Sequence, residues 1–117
     1  MPDILTAERA IDLLGLRPLP QEGGWFHETW RGPDLANGAL PGLAVPHSVG
    51  TAILYLVTPD AFSAMHRLPT DEVFHFYAGD AAEQVHLFPD GVGRVVRLGV
   101  DLAAGERPQV VAPAGAW

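Results

Sequence analysis

Two imidazoles and a carboxylate, groups that proteins use to bind metals or move protons, lie close together in the sequence at His66, Glu72 and His75. His66 and Glu72 flank Pro69, which predicts a turn between them. A carboxylate beside an imidazole fixes the tautomer of the ring and raises its basicity. With one or two further ligands, this pair could bind Zn²⁺, Fe²⁺, Mn²⁺ or Ni²⁺. Alone it is an incomplete metal shell, and the simpler interpretation is a hydrogen bond that closes the turn.

The strand predicted after this turn separates the same groups, because side chains alternate between the two faces of a strand. One face is expected to carry Glu72, Phe74 and Phe76, and the other Val73, His75 and Tyr77. A bulge would bring His75 to the face of Glu72. Without a bulge, His75 lies beside Tyr77, an acid–base pair in some isomerases but more often an exposed or interface position. The candidate catalytic residues are therefore His66, Glu72, His75 and Tyr77.

A second set of residues could line a small-molecule pocket, since aromatic side chains with a few polar groups are typical of such pockets. A strand is predicted from Trp25 to Trp30, with Trp25, His27 and Thr29 on one face and Phe26, Glu28 and Trp30 on the other. In the strand around His86, the apolar Val85 and Leu87 are expected to face the core, which puts His86 on the polar side. The candidate ligand-binding residues are Trp25, His27, Glu28, Phe74 and His86.

The elements that would position these residues are short and separated by turn-forming residues. A helix is predicted over residues 6–14, capped by Thr6 and ended by Gly15. The apolar run within residues 50–58 predicts a fully buried strand. Further strands are predicted at residues 62–67, 72–77, 83–88, 93–98 and 110–112, with a hairpin turn at residues 89–91. This pattern predicts an all-β sandwich or barrel.

Composition narrows the classes of function. The length of 117 residues predicts a single domain spanning residues 1–117. The net charge is −7, and the seven basic residues are all scattered arginines, which argues against a nucleic-acid partner. The absence of cysteine excludes thiolate chemistry and disulfides. No signal peptide or membrane-length apolar run is visible, so a cytoplasmic location without a membrane partner is the default expectation.

The chain resembles the cupin superfamily. The first cupin motif has the form G-x5-H-x-H-x(3–4)-E-x6-G, and His66, Glu72 and Gly79 stand at its intervals, with Leu68 at the position of its second His. The chain looks most similar to the small stand-alone cupins catalogued as a domain of unknown function. The segments that carry this similarity are residues 22–31, 62–67, 71–80 and 113–117.

This resemblance implies a double-stranded β-helix (jelly roll) over about residues 22–117, with a pocket inside the barrel and usually a dimeric assembly. Two departures stand out. His27 replaces an Arg that is usual in the group, and the chain ends at Trp117, where such cupins continue for some tens of residues. The C-terminal strands are therefore expected to be incomplete, and we expect dimerisation or strand exchange to cover the open edges.

Three functions are compatible with these residues. The first is a non-catalytic module that binds a small molecule in the barrel, for which fold alone does not name the ligand. The second is a metal-free isomerase or epimerase of a sugar-like substrate, with His66 or His75 as base, Glu72 orienting it and Tyr77 as acid. The third is a metal-dependent enzyme that uses His66 and Glu72, with His75 or His86 as a further ligand.

Overall fold

A computed structural model describes residues 5–36 and 47–117 of the chain. The chain divides into two compact units, residues 1–65 and residues 66–117. The helix and strands of the described residues are α1 (Ala7–Leu14), β1 (Arg17–Pro18), β2 (Trp25–Arg31), β3 (Thr51–Leu56), β4 (Glu72–His75), β5 (Ala82–Leu87), β6 (Gly93–Leu98) and β7 (Gln109–Ala112). A single 3-10 turn, Leu102–Ala104, precedes β7.

The helix α1 forms as the sequence predicts. The Thr6 hydroxyl accepts a hydrogen bond from the Arg9 amide at 3.2 Å, and this satisfies one of the free donors of the first turn. Gly15 ends the helix in the left-handed conformation with φ of 65°. Among the described residues, no helix has the length and hydropathy needed to cross a bilayer.

The first unit contains an antiparallel sheet in the order β1-β2-β3. The ladder between β2 and β3 pairs Glu28 with Ile53 and Trp30 with Ala52, so Thr29 is the extra residue of a β-bulge. The bulge restarts the alternation and places Trp30 on the same face as His27, which pairs with Leu54. The prediction that Trp30 shares a face with Phe26 and Glu28 was therefore wrong.

Strand β3 forms where the apolar run predicts it, but it is not fully buried. Residues 51–53 are exposed and residues 54–56 are half-buried. β3 is the outer strand of its sheet, so its side chains have fewer neighbours within the unit than those of a central strand would have. The apolar run correctly predicted a strand and incorrectly predicted its burial.

The second unit contains two antiparallel strand pairs, β4 with β7 and β5 with β6. The β5–β6 hairpin turns where predicted: Gly91 has φ of 89°, and the Asp90 carboxylate accepts the Val92 amide at 2.9 Å. The ladder between β4 and β7 is regular, from Glu72 opposite Ala112 to His75 opposite Gln109.

The strand predicted at residues 62–67 is not present. The Ala64 amide donates to the Glu22 carbonyl at 2.6 Å, but no ladder forms along this segment in the described part of the chain. A strand needs a neighbouring backbone that supplies successive hydrogen bonds, and a local sequence pattern does not supply that neighbour.

Candidate functional site

His66 and Glu72 meet as the sequence predicts. The His66 Nε2 atom lies 3.4 Å from the Glu72 Oε1 atom, and both side chains are partly exposed. Two hydrogen bonds from residues later in the chain hold the turn between them. The Ala114 amide donates to the Asp71 carboxylate at 2.7 Å, and the Gly115 amide donates to the Leu68 carbonyl at 2.9 Å. The Pro113-Ala114-Gly115 segment thus fixes the turn that brings the imidazole to the carboxylate.

These residues do not make a complete metal site. Within residues 5–36 and 47–117, no three His, Cys, Asp or Glu side chains lie close enough to share a metal ion. Leu68 contributes no donor atom, and His75 lies on the other face of β4 from Glu72. Two donors do not fit a cupin metal centre, so the chemistry of the site is derived without a metal.

His75 and Tyr77 lie on the outer face of β4 and the residues that follow it. Glu72 and Phe74 are half-buried while Val73 and His75 are exposed, which confirms the predicted alternation. The two rings stack with centroids 6.3 Å apart, and Tyr77 is 77% exposed. The His75 Nδ1 atom lies 3.3 Å from the side-chain nitrogen Nε2 of Gln109. The structure therefore does not bring the proposed acid Tyr77 to the His66–Glu72 pair.

His86 is buried, contrary to the predicted orientation of its strand. It is 4% exposed, whereas Val85 and Leu87 are 47% and 43% exposed. Gln84 and Phe88 share the inward face with His86 and are half-buried. β5 thus carries polar residues inside and apolar residues outside. The expectation that apolar side chains face inward fails here because the inward polar groups find hydrogen-bond partners.

A chain of hydrogen bonds fixes the state of His86. The Arg94 Nη2 atom lies 3.1 Å from His86 Nδ1, and the His86 Nε2 atom lies 3.0 Å from the Gln84 side-chain oxygen. A guanidinium can only donate, so Nδ1 is the acceptor and the ring proton sits on Nε2, which donates to Gln84. Burial, and then the positive charge of Arg94, lower the pKa of His86 below its usual value of 6.5. We call Gln84, His86 and Arg94 the polar row.

Aromatic contacts hold the polar row in place. The Arg94 guanidinium lies 5.5 Å from the centre of the Phe88 ring, and His86 meets the same ring edge-on at 6.5 Å. Arg94 was not among the candidates from the sequence. If residues are counted outward from the predicted hairpin turn, His86 pairs with Arg94 across the two strands. The sequence therefore contained the information needed to identify Arg94 as a neighbour of His86.

The candidates Trp25, His27 and Glu28 lie in the first unit. Glu28 is bound by Arg31, with an oxygen–nitrogen distance of 2.8 Å, and His27 is exposed. Trp25 lines an open groove of about 420 Å³ together with Gly23 and Phe62, among other residues. The His27–Glu28 pair therefore does not form a polar cluster inside a pocket.

The two glycines before Trp25 are required by their surroundings. Gly24 has φ of 80°, and a Cβ atom there would meet the Tyr55 ring at 2.7–2.8 Å. A Cβ atom on Gly23 would meet the Phe62 carbonyl oxygen. The Tyr55 hydroxyl donates to the Gly23 carbonyl at 2.6 Å, which ties β3 to the start of β2. Sequence reasoning did not single out Tyr55.

The class of protein is an all-β jelly roll of the cupin type. It is defined by antiparallel sheets, one short N-terminal helix and the His66–Glu72 motif. The chain belongs to the family described as Cupin superfamily (DUF985), whose model matches residues 8–117. This confirms both the resemblance and the fold class that the sequence predicted.

Known relatives agree with this assignment. The solved structures that match include a hypothetical protein from Leishmania major, at 31% identity and a TM-score of 0.82 over 96% of this chain and 67% of that one. They also include protein SO0799 from Shewanella oneidensis, at 30% identity and a TM-score of 0.83 over 97% of this chain and 66% of that one. The uncharacterized protein YML079W of Saccharomyces cerevisiae is 29% identical over 104 residues, which cover 83% of this chain. The chain spans about half the length of that curated relative, 52%.

Proposed function

We propose that this cupin binds a small molecule in the interior of its jelly roll, with the polar row and the His66–Glu72 pair as polar anchors. The observation that carries the proposal is the inverted orientation of β5, in which His86 is 4% exposed while Val85 and Leu87 face outward. Turning Gln84 and His86 inward costs desolvation free energy that apolar side chains would not cost. The hydrogen bonds among these groups make the inward orientation possible, and we propose that a ligand uses the same groups.

The inward-facing residues have the composition of a ligand pocket. A jelly roll encloses an interior between two facing sheets. The less exposed faces of β4 and β5 carry the half-buried Glu72, Phe74 and Gln84 and the buried His86. Aromatic surface with a few fixed polar groups is typical of small-molecule sites. We propose that the aromatic rings cover the apolar part of the ligand while the polar groups orient it.

Arg94 and Glu72 can each form a defined kind of hydrogen bond with a ligand. Arg94 has five N–H donors, of which its bond to His86 uses one, so it can also donate to a ligand oxygen. Glu72 can accept from a ligand hydroxyl while it contacts His66. A ligand with both hydroxyl groups and acceptor oxygens matches this set. Neither the epimerase nor the metal-enzyme alternative gains an observation of its own, since Tyr77 faces outward and, within the described residues, only the two donors His66 and Glu72 come together.

Native mass spectrometry tests the proposal. Untagged protein, incubated with a small-molecule extract of cells and then desalted, is expected to retain a discrete added mass that is released on denaturation. The variant Gln84→Leu combined with Arg94→Leu removes the polar groups and is expected to reduce the retained fraction about tenfold or more.

The matched control is His75→Ala combined with Tyr77→Ala, which changes the exposed outer face and is expected to retain the ligand like the wild type. Circular dichroism spectra of all variants check that they are folded. Retention of no discrete mass by the folded wild-type protein, or equal retention by both double variants, would overturn the proposal.

We also propose that the protein acts in the cytoplasm. Our second structural proposal is that another copy of the chain pairs with the edge of β5. Leu87 exchanges two backbone hydrogen bonds with Trp117, at 2.8 and 2.9 Å, on the side of β5 away from β6. Because backbone groups alternate along a strand, those of Glu83 and Val85 point to the same edge. They bond to no other backbone group in the described part of the chain, and an open edge of this kind favours pairing with another strand.

A further inference from the structure

The hydrogen bonds of the polar row all run in one direction. Arg94 donates to His86, and the other ring nitrogen of His86 donates to the side-chain oxygen of Gln84. The acceptors of the row, the His86 Nδ1 atom and the Gln84 oxygen, are thus each used by a neighbour. Apart from a second lone pair on the Gln84 oxygen, the groups that remain are donors: the other N–H groups of Arg94 and the Gln84 amide. These donors bond to no other side chain among the residues that the structure describes.

The positive charge of Arg94 has no carboxylate partner. In the part of the chain that the structure describes, Arg94 takes part in no ion pair. Its partners are the neutral ring of His86 and the face of Phe88, whose centre lies 5.5 Å away. No acidic residue shares the inward face of β5 or β6. The Asp90 carboxylate, in the hairpin turn, accepts the Val92 amide. The polar row therefore carries one positive charge that no ion pair compensates.

The free N–H groups of Arg94 include a pair that fits a carboxylate. A guanidinium presents neighbouring N–H groups along the edges of a plane, and such a pair matches the two oxygens of a carboxylate. The bond to His86 uses a single N–H of the Nη2 atom, so at least one complete pair remains. His86 and Phe88 hold the group in place, and a held group loses less entropy when it binds a ligand than a mobile one does.

The face of β6 that carries Arg94 becomes apolar further along the strand. Val96 is half-buried and Leu98 is 9% exposed, and both follow Arg94 at alternate positions. Across the ladder, Leu98 pairs with the half-buried Ala82. An open groove of about 540 Å³ between β6 and β7 has Arg94, Val96 and the buried Val110 in its lining. A ligand with a charged group at Arg94 thus finds apolar surface for the rest of its body.

We infer that the ligand of the interior site is a small carboxylic acid, bound as its anion by Arg94 with an apolar body along Val96. This inference rests on the proposed function and names the class of its ligand. A row of donors with one positive charge selects a group with acceptor oxygens and one negative charge. A phosphate monoester carries a larger charge and matches it less well. An amide of the same shape would turn its own N–H donors towards those of Arg94.

Titration of the wild-type protein with benzoate and with benzamide tests this inference. The signals followed in ¹H–¹⁵N spectra, at constant pH and ionic strength, are the Nε–H of Arg94 and the ring of His86. Benzoate is expected to give saturable shifts, and uncharged benzamide is expected to bind about tenfold or more weakly. Butyrate and butyramide repeat the comparison with an aliphatic body. Inorganic phosphate is expected to bind more weakly than either carboxylate.

Arg94→Gln removes the charge and the paired N–H groups, so it is expected to weaken benzoate binding about tenfold or more. Arg97→Gln is the matched control, because it removes the same charge from the same strand. Arg97 lies on the outer face of β6 with Val95, and its variant is expected to bind benzoate within about twofold of the wild type. The comparison of benzoate with benzamide uses the wild-type protein, so it does not depend on how well either variant folds.

Three results would overturn the inference: no saturable shift with either carboxylate, binding of the amides or of phosphate as tight as that of the carboxylates, or equal weakening by Arg94→Gln and Arg97→Gln. The mass retained from the cell extract gives an independent check, since it is expected to carry an acidic group. A retained molecule without an acidic group would overturn the carboxylate assignment and leave the interior site in place. Retention of no mass would instead overturn the site itself.

Discussion

The surroundings of His86 fix its hydrogen-bond partners and its protonation state, and they therefore restrict the chemistry that the second unit can carry out. Its two ring nitrogens are both used, one by Arg94 and one by Gln84, so its tautomer is fixed. The lowered pKa keeps the ring neutral at neutral pH. A neutral, fixed ring suits the orientation of a ligand better than it suits proton transfer, because a general base needs an acceptor nitrogen available to the substrate.

Stability is expected to fall as the pH drops below 6.5, through His86. The unfolded chain takes up the proton near the ordinary pKa of 6.5, while the folded chain takes it up only at lower pH, so acid favours unfolding. The contribution of His86 is fully present above 6.5 and is lost as the pH falls towards the folded pKa, with a slope of at most about 1.4 kcal/mol per pH unit.

Urea unfolding of wild type, His86→Gln and His75→Gln between pH 7.5 and 5.0 measures this effect. The His86→Gln variant is expected to show a weaker loss of stability with acid than the wild type, while the exposed His75→Gln variant follows the wild type. A His86→Gln variant whose free energy of unfolding falls as steeply as that of the wild type would contradict a neutral, buried His86.

At the scale of elements, β5 has two unusual properties, an inward polar face and a partly open edge. Its outward face carries Val85, and the partner strand β6 carries Val95 on the same side, 60% exposed. An exposed apolar face beside unpaired backbone groups is the combination that favours association between chains.

Light scattering tests the pairing of β5 with a second copy. The wild-type protein is expected to have twice the chain mass of 12.5 kDa. A charge at the edge opposes pairing, so Val85→Lys is expected to shift the protein to the monomer at the same concentration. Val92→Lys, in the hairpin turn and also exposed, is the control and is expected to remain dimeric. A wild-type monomer at all concentrations would contradict the pairing.

The elements also show what a sequence can predict. The ends of α1, the hairpin turn at Asp90 and the alternation of β4 were predictable because local hydrogen bonds and glycine conformations determine them. The inversion of β5 was missed because the prediction rested on the alternation of apolar side chains alone, although the pairing of His86 with Arg94 can be counted from the hairpin turn. The missing strand at residues 62–67 and the bulge at Thr29 depend on a neighbouring backbone, which local alternation does not describe.

The contacts of the candidate site also divide into those that the sequence predicts and those that it does not. The His66–Glu72 contact followed from spacing around one turn. The open groove of about 540 Å³ between β6 and β7 could not be predicted, since its residues come from two strands that pair with different partners. Contacts across neighbouring strands of one hairpin are countable from the turn, whereas contacts between separate strand pairs require the fold.

On the scale of the whole molecule, few of the residues that the structure describes are buried. Nearly half of its residues are hydrophobic, yet no side chain of the described residues is less than 2% exposed. The buried hydrophobic set in that part of the chain is small: Ala10, Leu16, Leu98, Val110 and Ala116. A single copy thus leaves apolar surface for a ligand and for a second chain to cover.

The ¹⁵N spectrum of the histidine rings tests most directly whether a small molecule reaches the polar row. In labelled protein, with signals assigned from the His86→Gln and His75→Gln variants, His86 is expected to show the neutral Nε2–H form. Addition of a small-molecule cell extract, with removal of unbound material, is expected to shift the His86 signals and leave those of exposed His75 unchanged. A folded protein in which the extract leaves His86 unchanged would contradict the proposed site.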